Sequence, residues 1–345
     1  AQAPPADDLI SIPDVANDPQ LFAPAVALRV TVDAGAVLNL NGHELTVGEA
    51  VQNSGTLAGA GASELTCKDF TSTGTIQNNA GLVINASGTV NITGSYLTPT
   101  GGSLVLTGTG EIFSATPVLG TLSFSGSSSY TLGSSITVGG AFTLEGTLDV
   151  AVYDMHLAGN ADFTDAVFSP RVQTVFFDAN GLDQNITTDD IAFYDITIQN
   201  GTTDTVSVAG ALNVSHVLTV NSGNTLRLGD ASFSIGTLDN TGEITLNGTA
   251  ATASITTIDS DSGTFEYTGV GAGAIHDFGS IDYYNLTISG SGTFALGSDL
   301  VVLNKLVASD GTLSATEARL IQAAGAALSG GGFRIDTAGF ELALS

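Results

Sequence analysis

A four-residue phrase recurs along the chain: a small polar residue, then Gly, then Thr or Glu, and then an aliphatic or aromatic residue. A turn followed by a strand, repeated at spacings of about 20 residues, is typical of a solenoid, in which each repeat packs on its neighbours. We expect the glycine to permit the turn and the apolar residue to point into the core. The phrase occurs at residues 54–57, 73–76, 87–90, 109–112, 241–244, 262–265 and 291–294.

The rest of the sequence after residue 30 supports the same architecture. Short segments alternate apolar and polar residues, and Gly, Asn and Ser separate them, so the pattern predicts strands. The fold prediction is all-β: a single-stranded parallel β-helix (β-solenoid) of roughly fifteen coils. Residues 314–317 followed by 318–324 match a helix capping box, but the segment also aligns with an earlier series of strands, and we favour strands.

The first 30 residues have a different composition. They hold five of the eight prolines and lack the phrase, and proline cannot donate to a sheet ladder. We therefore predict an extended N-terminal arm at residues 1–30 and a β-solenoid domain at residues 31–345. Within the arm, Leu9, Ile10 and Ile12 lie in a short apolar segment that is typical of a strand.

Charge and cysteine content exclude several classes of protein. The chain has 34 acidic and 7 basic residues and a formal net charge of -27, which opposes binding to nucleic acids or anionic membranes. No apolar run reaches the roughly 18 residues of a membrane-spanning helix, so we predict no membrane insertion. The single cysteine, Cys67, excludes an intramolecular disulfide and a multi-cysteine metal site, and we interpret it as a small core residue.

Composition also bears on localisation. The sequence is rich in Thr, Ser, Gly and Asn, is poor in Lys and begins without Met. These features are typical of an extracellular or cell-surface protein from which a signal peptide has been removed, although a cloned fragment would look the same.

Few residues offer catalytic chemistry. The histidines His43, His156, His216 and His276 are scattered singly, whereas zinc requires several converging ligands. The best adjacent acidic pair is 189–190, and it would have to lie in a loop, because neighbouring residues on a strand point to opposite faces. We predict no catalytic residue and no enzymatic activity.

One acidic turn is a candidate cation site. Asp259 and Asp261 lie in an Asp-Ser-Asp-Ser-Gly segment that offers oxygen ligands for calcium, but the glutamate that closes a twelve-residue EF-hand loop is missing. A solvated acidic turn is the alternative interpretation. Apart from calcium, we expect no cofactor.

Two segments resemble the repeats of a known group of proteins. Residues 193–198 (Phe-Tyr-Asp-Ile-Thr-Ile) and 283–288 (Tyr-Tyr-Asn-Leu-Thr-Ile) each follow a strand and a Gly-rich turn. They are similar to the repeats of β-strand-repeat surface proteins, which include filamentous-haemagglutinin-like adhesins and autotransporter passengers. The resemblance covers about residues 30–345 and implies a secreted parallel β-helix with a structural, adhesive or matrix role.

The two ends of a solenoid expose unpaired strands, and an open β edge recruits another chain. Near the C-terminus, Phe340, Leu342 and Leu344 lie in a strand pattern. Together with Leu9, Ile10 and Ile12, they predict an extracellular structural protein that self-assembles head to tail into a filament, its partner being itself. The alternatives are a monomeric surface adhesin or surface-layer module that binds glycans or another surface, and a polysaccharide-active β-helix enzyme.

Overall fold

The structure is a computed structural model of the 345-residue chain and describes residues 8–15, 19–79, 81–97, 102–114, 118–179, 181–201, 204–328, 334–337 and 340–344. These residues form 42 strands and no helix. The predicted fold class is confirmed: the chain is an all-β parallel β-solenoid of about 15 turns. It divides into unit 1, Ala1–Val175, and unit 2, Phe176–Ser345, which are described separately.

In unit 1, most turns contribute three strands: one to sheet A, one to sheet C and one to either sheet B or sheet D, with parallel pairing in all four sheets. Sheet A has nine strands in the order β1-β3-β6-β9-β12-β15-β18-β21-β24, and hydrogen bonds between turns join residues 19 to 22 positions apart. The strands are β1 (Leu9–Ile12), β2 (Ala25–Ala27), β3 (Arg29–Val32), β4 (Val37–Asn39), β5 (Glu44–Val47), β6 (Ala50–Asn53), β7 (Thr56–Ala60), β8 (Glu64–Cys67), β9 (Asp69–Ser72), β10 (Thr75–Asn79), β11 (Val83–Ala86), β12 (Val90–Ile92), β13 (Ser95–Leu97), β14 (Ser103–Leu106), β15 (Thr109–Ser114), β16 (Val118–Leu119), β17 (Thr121–Phe124), β18 (Ser129–Leu132), β19 (Ile136–Val138), β20 (Phe142–Leu144), β21 (Thr147–Asp149), β22 (Met155–Leu157), β23 (Ala161–Asp162) and β24 (Val167–Ser169); β25 (Thr174–Phe177) crosses the boundary between the units.

In unit 2, each turn contributes two strands, and several of them are long and contain a bulge. Even-numbered strands from β26 to β42 pair in parallel as sheet C. The odd-numbered strands from β27 to β33 pair as sheet D, and those from β35 to β41 pair as sheet E. The strands are β26 (Gln184–Thr187), β27 (Ala192–Ile198), β28 (Thr205–Ala209), β29 (Leu212–Val220), β30 (Thr225–Gly229), β31 (Phe233–Asn240), β32 (Glu243–Leu246), β33 (Ala253–Thr257), β34 (Thr264–Tyr267), β35 (Ala272–Ile275), β36 (Tyr283–Ile288), β37 (Thr293–Leu296), β38 (Leu300–Ala308), β39 (Thr312–Ala315), β40 (Arg319–Leu328), β41 (Arg334–Thr337) and β42 (Phe340–Leu344).

The segment with the capping-box pattern is strand, as favoured from the sequence. Residues 312–315 form β39 and residues 319–328 form β40, and both pair in parallel with the turn before them. Hydrogen bonds between turns, rather than local helix signals, therefore decide the conformation here.

Because successive side chains of a strand point to opposite faces, about every second side chain points into the core of its unit. The apolar residue that ends each recurring phrase is at most 4% exposed, which confirms the predicted inward direction. These residues are Leu57, Ile76, Val90, Ile112, Ile244, Phe265 and Phe294.

The glycine of the phrase has a different role from the one expected. Among the phrase glycines, Gly263 alone has a φ in the left-handed region, at 73°. At Gly74, a Cβ atom would overlap the carbonyl oxygen of Gly55, and at Gly94 it would overlap that of Gly74. The glycines are needed because the backbone of one turn lies directly against the backbone of the turn before it.

The solenoid begins inside the segment that was predicted to be an arm. Strand β1 pairs with β3 in parallel, with Leu9 opposite Arg29 and Ile12 opposite Val32, and β2 pairs with β5. The described parts of residues 1–30 thus include the first strands of sheets A and C. The prolines did not prevent this pairing, since none of them lies within β1, β2 or β3.

Candidate functional site

Strand β1 is the edge of sheet A in unit 1. The carbonyl oxygens of Asp8 and Ile12 accept hydrogen bonds at 2.9 Å from backbone N–H groups at the two ends of β3. Because successive residues of a strand direct their backbone groups to opposite sides, those of Leu9 and Ser11 point away from the sheet. No strand of the described chain pairs with that outer edge.

An apolar cavity of about 490 Å³ lies beside β1. Two of the three predicted assembly residues of this strand, Ile10 and Ile12, line it, while the third, Leu9, is 69% exposed. Further lining residues are Val15, Leu21, Val30, Leu38 and Leu45. Within the described residues, the edge of unit 1 therefore combines backbone groups that have no partner strand with accessible apolar surface.

The three predicted assembly residues near the C-terminus belong to β42 in unit 2. This strand pairs in parallel with β40 on one side, and the described residues provide no partner for its other side. Phe340, Leu342 and Leu344 stand opposite Arg319, Ile321 and Ala323.

The candidate calcium residues lie together in one turn of unit 2. The Asp259 carboxylate accepts hydrogen bonds from the backbone N–H groups of Asn240 at 2.7 Å and of Asp261 at 2.9 Å. The Ser262 hydroxyl donates to both aspartates, at 3.2 and 2.9 Å. These donors stabilise the turn and occupy carboxylate oxygens that a cation would need.

Neither the adjacent acidic pair nor the cysteine forms a catalytic arrangement in the described structure. Asp189 and Asp190 are exposed in a bend after β26, where Asp190 has a φ of 53°. Cys67 is 4% exposed in β8, and burial raises the pKa of its thiol to about 12, which keeps it protonated and unreactive.

A buried polar network in unit 2 holds the loop between β35 and β36. The hydroxyls of Tyr267 and Tyr283 are 2.8 Å apart, and they bond the backbone N–H and carbonyl of His276 at 3.0 and 2.7 Å. Asp282, only 1% exposed, accepts two backbone N–H groups at 2.8 and 3.0 Å. Burial raises the pKa of Asp282 and lowers that of His276. Every contact named here serves the loop, so we assign the network a structural role.

Replacing His276 by Gln is expected to reduce the decrease in the free energy of unfolding that occurs as the pH falls below 6.5. Burial lowers the pKa of His276 in the folded chain, whereas the unfolded chain protonates it near its ordinary value of 6.5. The contribution of the neutral ring is thus fully present above pH 6.5 and is lost as the pH falls from there towards the folded pKa. Urea unfolding at a series of pH values measures this; an identical decline in both proteins below pH 6.5 would contradict it.

A pair of carboxyl groups on the outer face of sheet C was not found from the sequence. Glu243 and Glu266 lie on adjacent strands of unit 2, and the Ser289 hydroxyl donates to Glu266 at 2.5 Å. Burial and the neighbouring Glu266 raise the pKa of Glu243 above its ordinary value. Both residues line a groove of about 490 Å³, together with Thr245 and Arg227.

A second side-chain pair lies on sheet D of unit 2. The Nδ1 atom of His216 is 2.8 Å from a carboxylate oxygen of Asp195, and its ring stacks on Tyr194 with the ring centroids 4.6 Å apart. The sequence predicted an isolated His216, because its partners lie 21 and 22 positions earlier. A bulge in β29, between Val214 and Val217, places His216 beside Tyr194 and Asp195 of β27.

Comparisons with known proteins do not add a family. The chain matches no protein-family model, no curated protein and no solved structure. The described residues contain no group of three or more His, Cys, Asp or Glu side chains placed to hold a metal. Within the same part of the chain, no helix is long and apolar enough to cross a membrane.

Proposed function

We propose that the chain is an extracellular structural protein whose copies assemble head to tail into a β-solenoid filament. In this arrangement, β1 of one copy adds to the last turn of another copy, which contains β41 and β42. The outer edge of β1 has no partner strand in the described part of the chain and lies beside an apolar cavity, and this observation carries the proposal. The role requires no catalysis.

The edge of β1 has the properties that strand addition uses. Leu9 and Ser11 direct backbone donors and acceptors outward, and main-chain hydrogen bonds supply affinity when a strand joins an open edge. The Leu9 side chain is 69% exposed, and Ile10 and Ile12 line the cavity. An added turn would cover these apolar groups.

The direction of the strands determines the geometry of assembly. The strand pairings described in both units are parallel, as in β1 with β3 and β40 with β42. The outer edge of β1 is the side on which a preceding turn would pair. In a second copy, the turn that can take this place is its last turn and not its first. Such a contact joins different surfaces of the two copies, so it continues into a filament rather than closing as a dimer.

The charge of the chain favours contact at the ends. A net charge of -27 makes lateral contact between copies unfavourable within a Debye length of about 8 Å at physiological ionic strength. The β1 edge offers apolar contact instead. Assembly along one axis is therefore favoured over side-by-side aggregation.

Replacing Ser11 by Pro is expected to abolish filaments while leaving the fold intact. Proline removes an N–H that points outward and takes no part in the pairing with β3, and edge strands tolerate proline when that N–H faces solvent. Sedimentation velocity and negative-stain microscopy at micromolar protein would show wild-type filaments and a soluble variant. Ser11→Thr, which keeps the N–H, should assemble like wild type.

Thr31→Pro is the matched structural control. Thr31 stands opposite Ser11 in β3, which has a strand on both sides, so the substitution removes a ladder hydrogen bond and should lower the melting temperature. Filaments of Ser11→Pro indistinguishable from wild type would refute the role of β1. Wild-type protein that stays at the mass of one chain at every concentration would refute assembly and favour the monomeric adhesin.

A further inference from the structure

The groove that contains Glu243 and Glu266 lies on the outer face of sheet C in unit 2. Three residues stand in register on strands β30, β32 and β34: Arg227, Thr245 and Glu266. All three project outward, because the residue directly before each of them points into the core. These preceding residues are Leu226, Ile244 and Phe265. Glu243 precedes Thr245 by two positions on the same strand and so shares this face. We call these residues, with Ser289, the Glu243 groove.

The two glutamates of the groove lie on adjacent strands and line the same cavity. Neighbouring carboxylates repel each other, and a cation bound by both removes that repulsion. Ser289 fixes one oxygen of Glu266. The structure records no hydrogen bond or ion pair from Arg227 to either glutamate in the described chain.

Thr245 provides an independent observation that points to a ligand at this groove. The residue is only 5% exposed although it projects from the outer face, and its hydroxyl oxygen has no hydrogen-bond partner among the described residues. A buried polar group without a partner destabilises the folded state, and native proteins leave few such groups. Thr245 stands opposite Glu266 in the register of the two strands, and both residues line the same groove.

We propose that the Glu243 groove binds a calcium ion through the carboxylates of Glu243 and Glu266 and the hydroxyl oxygen of Thr245. Calcium takes six to eight oxygen ligands in flexible geometry, so three protein groups leave positions for water. The ion offsets the repulsion between the two carboxylates and gives the threonine oxygen a partner.

A second pair of opposed glutamates shows what distinguishes this groove. Glu44 and Glu64 stand directly opposite each other on sheet C of unit 1. Both are exposed, and each carboxylate accepts a hydrogen bond from a neighbouring side chain, Thr46 at 2.8 Å and Asn85 at 2.6 Å. This pair has no orphaned oxygen beside it and serves as the matched control.

Calcium titration of the full-length chain tests the site. Isothermal calorimetry with CaCl₂ at physiological ionic strength, where diffuse attraction to the acidic surface is screened, should give one ion bound per chain above background. Glu266→Gln and Thr245→Val should each weaken that binding by at least about tenfold, and Glu64→Gln should leave it unchanged. Terbium offers a second readout, because Tyr267, next to Glu266, can sensitise its luminescence.

Thr245→Val separates loss of binding from loss of folding. The substitution is close in shape and removes the unpartnered hydroxyl, so the calcium-free variant should melt no lower than wild type while losing the rise in melting temperature that calcium gives wild type. Calcium binding that is equal in wild type, Glu266→Gln and Thr245→Val overturns the proposal, as does the absence of binding to wild type. Binding of a neutral saccharide that these substitutions abolish, without an effect of calcium, would assign the groove to sugar hydroxyls and also overturn it.

Discussion

Replacing Gly74 by Ala is expected to destabilise unit 1 by at least about 3 kcal/mol. A Cβ atom at this position would overlap the carbonyl oxygen of Gly55 and lie 2.7 Å from the carbonyl carbon of Ser54. Both obstacles are backbone, so no side chain can rotate away, and the two turns would have to separate. Hydrogen bonds across this contact, such as Thr75 N–H to the Gly55 carbonyl at 2.8 Å, would be lost with it. Chemical denaturation followed by circular dichroism measures the effect.

Gly48→Ala is the control for this experiment. Its Cβ atom would meet its nearest neighbours at 3.7 and 3.9 Å, which is ordinary van der Waals contact, and its φ is not in the left-handed region. The control should unfold within about 1 kcal/mol of wild type. If the two variants unfold at the same denaturant concentration, close stacking is not the reason for the glycine.

Replacing Phe142 by Ala should cost about 3–5 kcal/mol of folding free energy. Phe142 is 1% exposed in unit 1, and its ring centroid lies 5.9 Å from that of Phe124 and 5.2 Å from that of Phe163, in the turns before and after it. Removing the ring leaves a cavity between three successive turns. Because each turn is stabilised by its neighbours, the loss should extend to both of them.

Denaturant unfolding gives the size of this effect, and hydrogen exchange gives its extent. Amides of β17, β20 and β23 should exchange faster in Phe142→Ala, whereas those of β5 and β8 should change less. Phe22→Ala is the matched control, because Phe22 is 79% exposed and its removal should change stability by less than about 0.5 kcal/mol. Similar losses of folding free energy in the two variants would show that the stacked rings of Phe124, Phe142 and Phe163 do not stabilise the unit.

Much of the fold was predictable because it follows from local patterns. The alternation of apolar residues and the recurring phrase predicted parallel strands, and the inward direction of residues such as Leu57 and Ile76 is confirmed. The number of strands per turn was not predictable, since it depends on where each turn bends. In unit 2, bulges such as the one between Val214 and Val217 allow one long strand to round a corner.

The role of the phrase glycine also lay outside the reach of local reasoning. A sequence shows that Gly is present, but two explanations fit it: a left-handed φ or a close approach by another segment. At Gly74 the deciding atom belongs to Gly55 in the previous turn. The pairing of Leu9 with Arg29 is likewise a contact between turns, so the local pattern of the first 30 residues did not reveal it.

The candidate sites show the same difference between what local patterns reveal and what contacts between turns decide. Asp259 and Asp261 were visible as neighbours in sequence, and they do lie together, but as acceptors for their own turn. Glu243 and Glu266 are 23 positions apart, and His216 and Asp195 are 21 apart, so only the register of adjacent turns brings them together. With that register, the outward positions of sheet C could have been read directly from the sequence.

The glycine column at Gly55, Gly74 and Gly94 constrains how such a chain can grow over evolutionary time. A side chain at Gly74 or Gly94 would overlap the carbonyl oxygen of the preceding glycine in the column, and one at Gly55 would overlap that of Ala36. Duplication of a complete turn keeps each glycine aligned with the carbonyl of the turn before it, whereas insertion of a single residue between the glycine and the following inward residue shifts the glycine away from that carbonyl. We therefore expect length changes among relatives of this chain to occur as whole turns or within exposed loops, and loss of any glycine of the column to destabilise the stack.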